Sequence, residues 1–335
     1  MSNQPKMGSF IVKLQLAGLI FVGSFIVSMV FGAADTSMHD LWLALSSDVI
    51  TDQATIIREI RLPREVAAMV VGAALSVAGA IMQGLTRNPL ADPGLLGLTA
   101  GANAALALTI ALLPTANDFT ITIACFIGAA IGALLVFSIG LLKKGGLSPF
   151  RIVLAGAAVH AFFFAIAEGI GLYFKVSKDV SMWTAGGVIG TTWSQLQMIT
   201  PFILIGIFIS LFLSKQLTLL SLNEEVAVGL GQKTTQIKSI LFILIILLTG
   251  ASVALVGNMT FIGLMIPHIV RGMVGTDYRF VLPMSAIIGA AFMLLADTLG
   301  RTINAPYETP VVAVVAVLGL PFFLFIVHKG GRAFS

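Results

Sequence analysis

The residues best suited to chemistry in this chain are arginines near an apolar boundary. Arg58, Arg61 and Arg64 fall within Arg58-Glu59-Ile60-Arg61-Leu62-Pro63-Arg64. Pro63 suits the first turn of a helix, where its missing N–H costs nothing, and Arg61 and Arg64, three apart, would then share one face of that helix. Outward guanidiniums in that position could dock carboxylates of a partner protein. They could equally be interfacial anchors whose stems lie along apolar surface, and spacing alone leaves both readings open. Arg301, at the end of a later apolar stretch, could join the same ring.

Ionisable residues inside the apolar runs are few: His160, Glu168 and Asp297. His160 and Glu168 are eight apart, which puts them on one helix face about 12 Å apart along the axis. They read either as a polar translocation path or as hydrogen-bonded interior and interfacial residues. An ion-coupled carrier needs more ligands or relay groups than this. A third pattern lies in the polar gap 215–238, where Ser221 with Glu224 three residues on reads as a capping box. Gly229 or Gly231 would end the short helix through Glu225, and such a helix is shaped to sit in a groove of another protein.

The missing motifs matter as much. The nearest approach to a nucleotide-binding G-x-x-x-x-G-K-[ST] is Gly231-Gln232-Lys233-Thr234, which lacks the glycine-rich phosphate cradle. Neither HExxH nor GxSxG occurs, and no nucleophile–base constellation supports a membrane-embedded enzyme. Cys125 is the single cysteine, and His268 has no second ligand at a suitable spacing, so no metal site is expected.

The elements that must carry these residues follow from composition. Of 335 residues 58% are hydrophobic and 10% charged, with mean hydropathy +1.03, against about 25% charged in a soluble domain. That excludes an ordinary soluble enzyme and a disordered chain, and indicates an all-α polytopic membrane protein. Ten stretches are long and apolar enough to be spans: 9–34, 62–84, 94–113, 119–142, 152–174, 196–214, 239–257, 259–275, 280–300 and 307–327. The first exceeds the apolar core of a signal peptide and reads as a retained span. The eighth, after Gly257-Asn258, is expected to be short or to start inside the membrane.

With the N-terminus inside, thirteen of the 19 Lys and Arg fall on the inner face and six on the outer. The formal charge of +4 therefore reflects orientation rather than nucleic acid, with both termini cytoplasmic. Gly72-Ala73 with Gly79 and Gly250-Ala251 with Gly257 are compatible with an inverted repeat of five plus five spans. The polar gaps are too short for a soluble domain, so residues 1–335 read as a single transmembrane domain with a cytoplasmic loop at 215–238.

Several long motifs, in order, give the chain a recognisable relationship. Arg61-Leu-Pro-Arg64, Gly72-Ala73-Ala74-Leu75 through Met82-Gln83-Gly84, and Arg87-Asn88-Pro89-Leu90-Ala91-Asp92-Pro93-Gly94-Leu95-Leu96-Gly97 form the first group. Glu225-Val-Ala-Val-Gly229-Leu-Gly231, Phe261-Ile-Gly-Leu-Met-Ile-Pro267-His268-Ile-Val-Arg271, Ala296-Asp297 with Arg301, Glu308-Thr-Pro310 and Gly319-Leu-Pro321-Phe322-Phe323 follow. Together, over residues 10 to 328, these resemble the permeases of iron–siderophore and cobalamin ABC importers. Asn258-Met259-Thr260 departs from the glycine-rich turn usual before the Phe-Ile-Gly stretch.

The resemblance implies ten transmembrane helices in a bacterial plasma membrane, pairing with a second permease, identical or paralogous. It implies two P-loop ATPase subunits beneath, so that ATP and magnesium belong to the partner and no cofactor to this chain. It also implies an extracytoplasmic binding protein outside, met by Arg61, Arg64 and Arg301. The loop 215–238, with Ser221, Glu224, Glu225, Gly229 and Gly231, would couple to the ATPase. A path at the interface of the two permeases would be lined from the fifth span and its flanks, with His160, Glu168, Tyr173, Met182 and Trp183 as candidates. The cargo implied is a ferric siderophore, with haem or cobalamin as the alternative. An ion-coupled carrier working alone is the competing reading from another class.

Overall fold

A computed structural model of the chain describes residues 7–32, 37–47, 51–141 and 149–330, and among them every regular element is helical. Lys6, Lys143, Lys144 and Arg332, and the ends of the first and fourth expected spans, lie outside the described residues. Among the described residues, seven helices are long and apolar enough to cross a membrane. These are α1 (Met7–Val30), α4 (Leu62–Thr86), α6 (Asp118–Leu141), α7 (Pro149–Phe174), α9 (Trp193–Phe212), α12 (Thr234–Val256) and α14 (Tyr278–Thr302). The other three expected spans fall on α5 (Leu98–Leu112), α13 (Ile262–Val274) and α15 (Val311–Gly330), whose apolar stretches are shorter, that of α15 being Val311–Ile326.

Between the long helices sit small ones. α2 (Met38–Ser46) and α3 (Asp52–Thr55) follow α1, and a π-helical stretch, Ile56–Arg61, runs from α3 directly into α4. α8 (Ser177–Gly186) follows α7, and α10 (Ser214–Leu222) and α11 (Glu224–Gly229) fill the gap before α12. The third expected span begins with a 3-10 turn, Pro93–Leu96, started by Asp92, whose carboxylate accepts from the Gly94 amide, and closed by Gly97 at φ 71°. α5 proper starts only at Leu98.

α4 is the central helix, packed against α14, α12, α13 and α9. Its contact with α13 is so close that a Cβ on Gly79 would stand 1.9 Å from the Gly263 carbonyl oxygen. Pro267 lies inside α13 and has no N–H for the carbonyl four residues back, which is Gly263. Gln83 on α4 supplies the missing donor: its Nε2 reaches the Gly263 and Leu264 oxygens at 3.1 and 3.2 Å. The short α13 is thus held through its proline by a neighbouring amide. The two glycine pairs that suggest a repeat do different work here. Gly79 is inside a helix, whereas Gly257 ends α12 at φ 73°.

The direction of the bundle is fixed by α1 and α14. Phe10 meets Phe280 at 4.5 Å between centroids, and Lys13 Nζ donates to the Met273 oxygen at 2.7 Å. At the other end Arg301 donates to the Ser28 oxygen at 3.1 Å. α1 and α14 therefore run in the same direction, as the first and ninth of ten alternating spans would.

Candidate functional site

At the end of the bundle where α14 stops, the arginines singled out by spacing come together, but they point inward. Arg61, Arg64 and Arg301 are 4%, 7% and 2% exposed. The expected outward guanidiniums are thus corrected, and the reason is a set of carboxylates that spacing did not associate with them. Arg64 is held bidentately by Asp297, with Nε and Nη2 each 2.9 Å from a carboxylate oxygen, and its Nη1 reaches both Glu308 oxygens at 2.9 Å. Arg301 pairs with Glu65, and its Nε lies 3.1 Å from Asp297.

Arg61 turns the other way, donating to the Met29 and Val30 oxygens at 2.7 and 3.2 Å. Those are the last carbonyls of α1, which have no partner within their own helix. A guanidinium there caps the helix and suits the negative end of its dipole. Two of the three guanidiniums pair with the three carboxylates and the third caps α1, so the charges of the cluster balance. Buried charge persists only when paired and hydrogen-bonded in this way.

At the opposite end the helices of the 215–238 gap form an elbow. Here the expected cap is also corrected. Ser221 belongs to α10 and donates back to the Thr218 oxygen at 2.8 Å, while Asn223 caps α11, accepting from the Glu225 amide at 2.9 Å. Asn competes well for that position because its short side chain reaches the free amides. The Glu224 side chain lies outside the described residues. Gly229 closes α11 in helical conformation, and Gly231, at φ 78°, makes the left-handed turn, with its amide on the Val228 oxygen at 2.8 Å. Leu222, Val226 and Leu230, four apart in sequence, are 67%, 48% and 65% exposed.

The elbow is anchored to α14 through Thr218. Its Oγ1 lies 3.1 Å from the Asp277 carboxylate and accepts from the Tyr278 amide at 3.0 Å. Burial raises the Asp277 carboxyl, but the hydrogen bonds from Arg279 and Thr218 outweigh it and hold the group below the usual carboxylate range.

The expected path residues distribute over three hollows. His160 borders a hollow of about 580 Å³ with Asp92, Asn258, Thr260, Phe261 and Phe323, where the two breaks in the helix pattern meet. It also borders a smaller one of about 210 Å³, together with Glu168, Asn103 and Ser177. Met182 and Trp183 line a third of about 280 Å³ beside Asp118 and Gln195. Tyr173 lines none of these and is 82% exposed. Asp297 belongs to the ion cluster and not to a hollow.

Several site residues escaped sequence reasoning: Glu65, Glu308, Thr218, Asp277 and Asn223. One signal was available, since Asp297 and Arg301 are four apart on a helix, acid first, the favourable order for a pair.

A multi-pass helical bundle with broken helices, internally paired charges and polar side chains along hollows has the build of a membrane transport permease. The chain belongs to the FecCD transport family, whose model matches residues 19–329. It is 41% identical over 326 residues to the iron(3+)-hydroxamate import system permease protein FhuB of Bacillus subtilis, covering 97% of this chain and 85% of that one. The Fe(3+)-citrate import system permease protein YfmD of the same organism is 38% identical, with 98% of each chain covered. The hemin transport system permease protein HmuU of Yersinia pestis is 39% identical, covering 89% and 90%. Among solved structures, a metal-chelate type ABC transporter in an inward-facing conformation matches with TM-score 0.83 at 27% identity, covering 94% of this chain and 98% of that one.

Proposed function

We propose that this chain is the transmembrane permease of an ATP-driven importer that takes up a ferric siderophore delivered by an extracytoplasmic binding protein. The observation that carries the reading is the face of α7. His160 and Glu168 are exposed on a helix long enough to span the bilayer. Charge facing lipid is costly, so this face fits a watered path shared with a second permease, identical or paralogous. The adjoining 580 Å³ hollow offers one histidine, one aspartate (Asp92, whose carboxylate already accepts from the Gly94 amide) and a few hydroxyl and amide groups among apolar side chains. That lining suits passage of a bulky chelate better than tight ligation of bare iron, whose coordination sphere the chelator fills.

Drive comes from elsewhere, because the sequence has no phosphate cradle. The exposed apolar side chains of the elbow, Leu222 at the end of α10 and Val226 and Leu230 on and just after α11, suit a groove on each of two ATPase partners, which bring ATP and magnesium. With the elbow inside, both termini are cytoplasmic. On the outer side the binding protein meets the rim that Arg61, Arg64 and Arg301 hold in place. Glu308, the more exposed carboxylate on Arg64, is the one an incoming acid would displace. Haem is the second reading, favoured by the hemin-transport relative.

The deciding experiment reconstitutes the chain in vesicles with and without candidate ATPase and binding protein and follows uptake of labelled ferric hydroxamate, ferric citrate and haem. Uptake that requires both partners and ATP is expected. Uptake by the chain alone overturns the proposal.

A further inference from the structure

The short helix α2 is not used by the transport reading, yet its surface is unusually organised. Met38, Trp42 and Leu45 are 56%, 70% and 56% exposed. At 3.6 residues per turn they fall within about 60° of arc. The neighbouring arc carries Leu41 and Ala44, buried against Met29 and Ile57. Ser46 and His39 follow on the flank beyond Trp42, about 40° and 60° further round, and Asp40 lies on the far side. One continuous apolar face is therefore half covered by the protein and half open.

The rotational setting of that face is fixed. Ser37 and Asp40 form a reciprocal cap, with the Asp40 amide on Ser37 Oγ at 3.1 Å and the Ser37 amide on the Asp40 carboxylate at 2.9 Å. Arg58 closes the other end, with Nε on the Ala44 oxygen at 2.8 Å and Nη2 on the Ser47 oxygen. The level of the helix is fixed too. Met29 lies in the last turn of α1, so α2 packs where that span leaves the hydrocarbon.

We infer that α2 is an interfacial anchor: its open Met38–Trp42–Leu45 face lies in the headgroup–acyl boundary of the leaflet on the arginine-cluster side. Three features favour lipid over a protein partner. The open stripe contains no charge, it lies at the level where α1 ends, and it centres on tryptophan, the residue that favours this boundary. Through Arg58 the anchored helix holds the π-helical stretch that leads into Arg61 and Arg64, so the bilayer becomes part of what positions the cluster.

Only membrane insertion of the chain is assumed, and the test needs no transport partner, so its failure leaves the transport reading untouched. Single cysteines are introduced by Met38→Cys, His39→Cys, Trp42→Cys, Leu45→Cys and Ser46→Cys in a Cys125→Ala background. Each is nitroxide-labelled and reconstituted in phosphatidylethanolamine–phosphatidylglycerol vesicles. Leu19→Cys, 70% exposed on α1, is the lipid reference. Labels at 38, 42 and 45 are expected to collide several-fold more with oxygen than with an aqueous nickel chelate, approaching the reference, while 39 and 46 show the reverse. Equal nickel accessibility at all five positions overturns the inference. So does shielding of 38, 42 and 45 from both reagents, which identifies a protein cover.

Discussion

Arg64 and Asp297 show how much one buried pair governs here. Asp297 touches both Arg64 and Arg301, so Asp297→Asn leaves two buried guanidiniums short of charge. Breaking such a pair costs about 3–5 kcal/mol, and a marked fall in melting temperature in detergent is expected. Glu308→Gln removes only the more exposed arm of Arg64, worth no more than about 1 kcal/mol. That variant separates architecture from docking: stability should barely move, while association with the binding protein, followed by surface plasmon resonance, should tighten. Weakened association would sink the idea that Glu308 holds the place of an incoming acid. The arginines stood out in the sequence because they were clustered and flanked by apolar runs. Their inward turn was not legible, since partners 233 and 244 residues away are joined only by the tertiary fold.

Among the elements, the elbow of α10 and α11 was legible as a short capped helix between spans, but the capping residue was not. Ser221 and Asn223 both stand near the start of α11, and only the backbone path decides which one reaches its free amides. The tie from α10 to α14 depends on the Thr218 hydroxyl. Thr218→Val should leave ATPase co-purification intact and lower the uptake supported per ATP hydrolysed, with Thr218→Ser restoring it. Unchanged coupling in the valine variant would show the tie to be dispensable. The same junction has a pH signature. Asp277 has a depressed carboxyl, so its contribution is fully present above the ordinary carboxylate range and is lost as pH falls through its lowered folded value. Acid destabilisation should be shallower in Asp277→Asn than in the parent, measured by thermal shift between neutral and acidic buffer. Packing of α4 on α13 gives a further expectation. Gly79→Ala should cost about 1–3 kcal/mol through overpacking, whereas Gly18→Ala, with nothing within 4 Å, should be near neutral. Equal melting temperatures for the two would count against the close contact.

For the whole molecule, seven of the ten expected stretches fall, among the described residues, on helices long and apolar enough to cross a membrane, legible because lipid imposes length and composition on a span. The exceptions were physical as well. α13 has 13 residues, about 20 Å of helix, and its break from α12 depends on Gly257 and Phe261 taking positive φ. Phe261 is an unexpected residue for that conformation, so the sequence marked the turn only through Gly257-Asn258. The surroundings of the expected path residues were the least legible, because spacing on α7 shows a shared face but not which hollows that face borders. α14 joins the arginine cluster and the elbow in one helix of 25 residues, about 37 Å long. Its first turn is tied to the elbow through Thr218 and its last carries Arg301, with Asp297 one turn earlier. A strut fastened at both tips transmits rather than absorbs displacement, so a nudge delivered at the elbow would arrive at the far clamp as a shift of the whole rod.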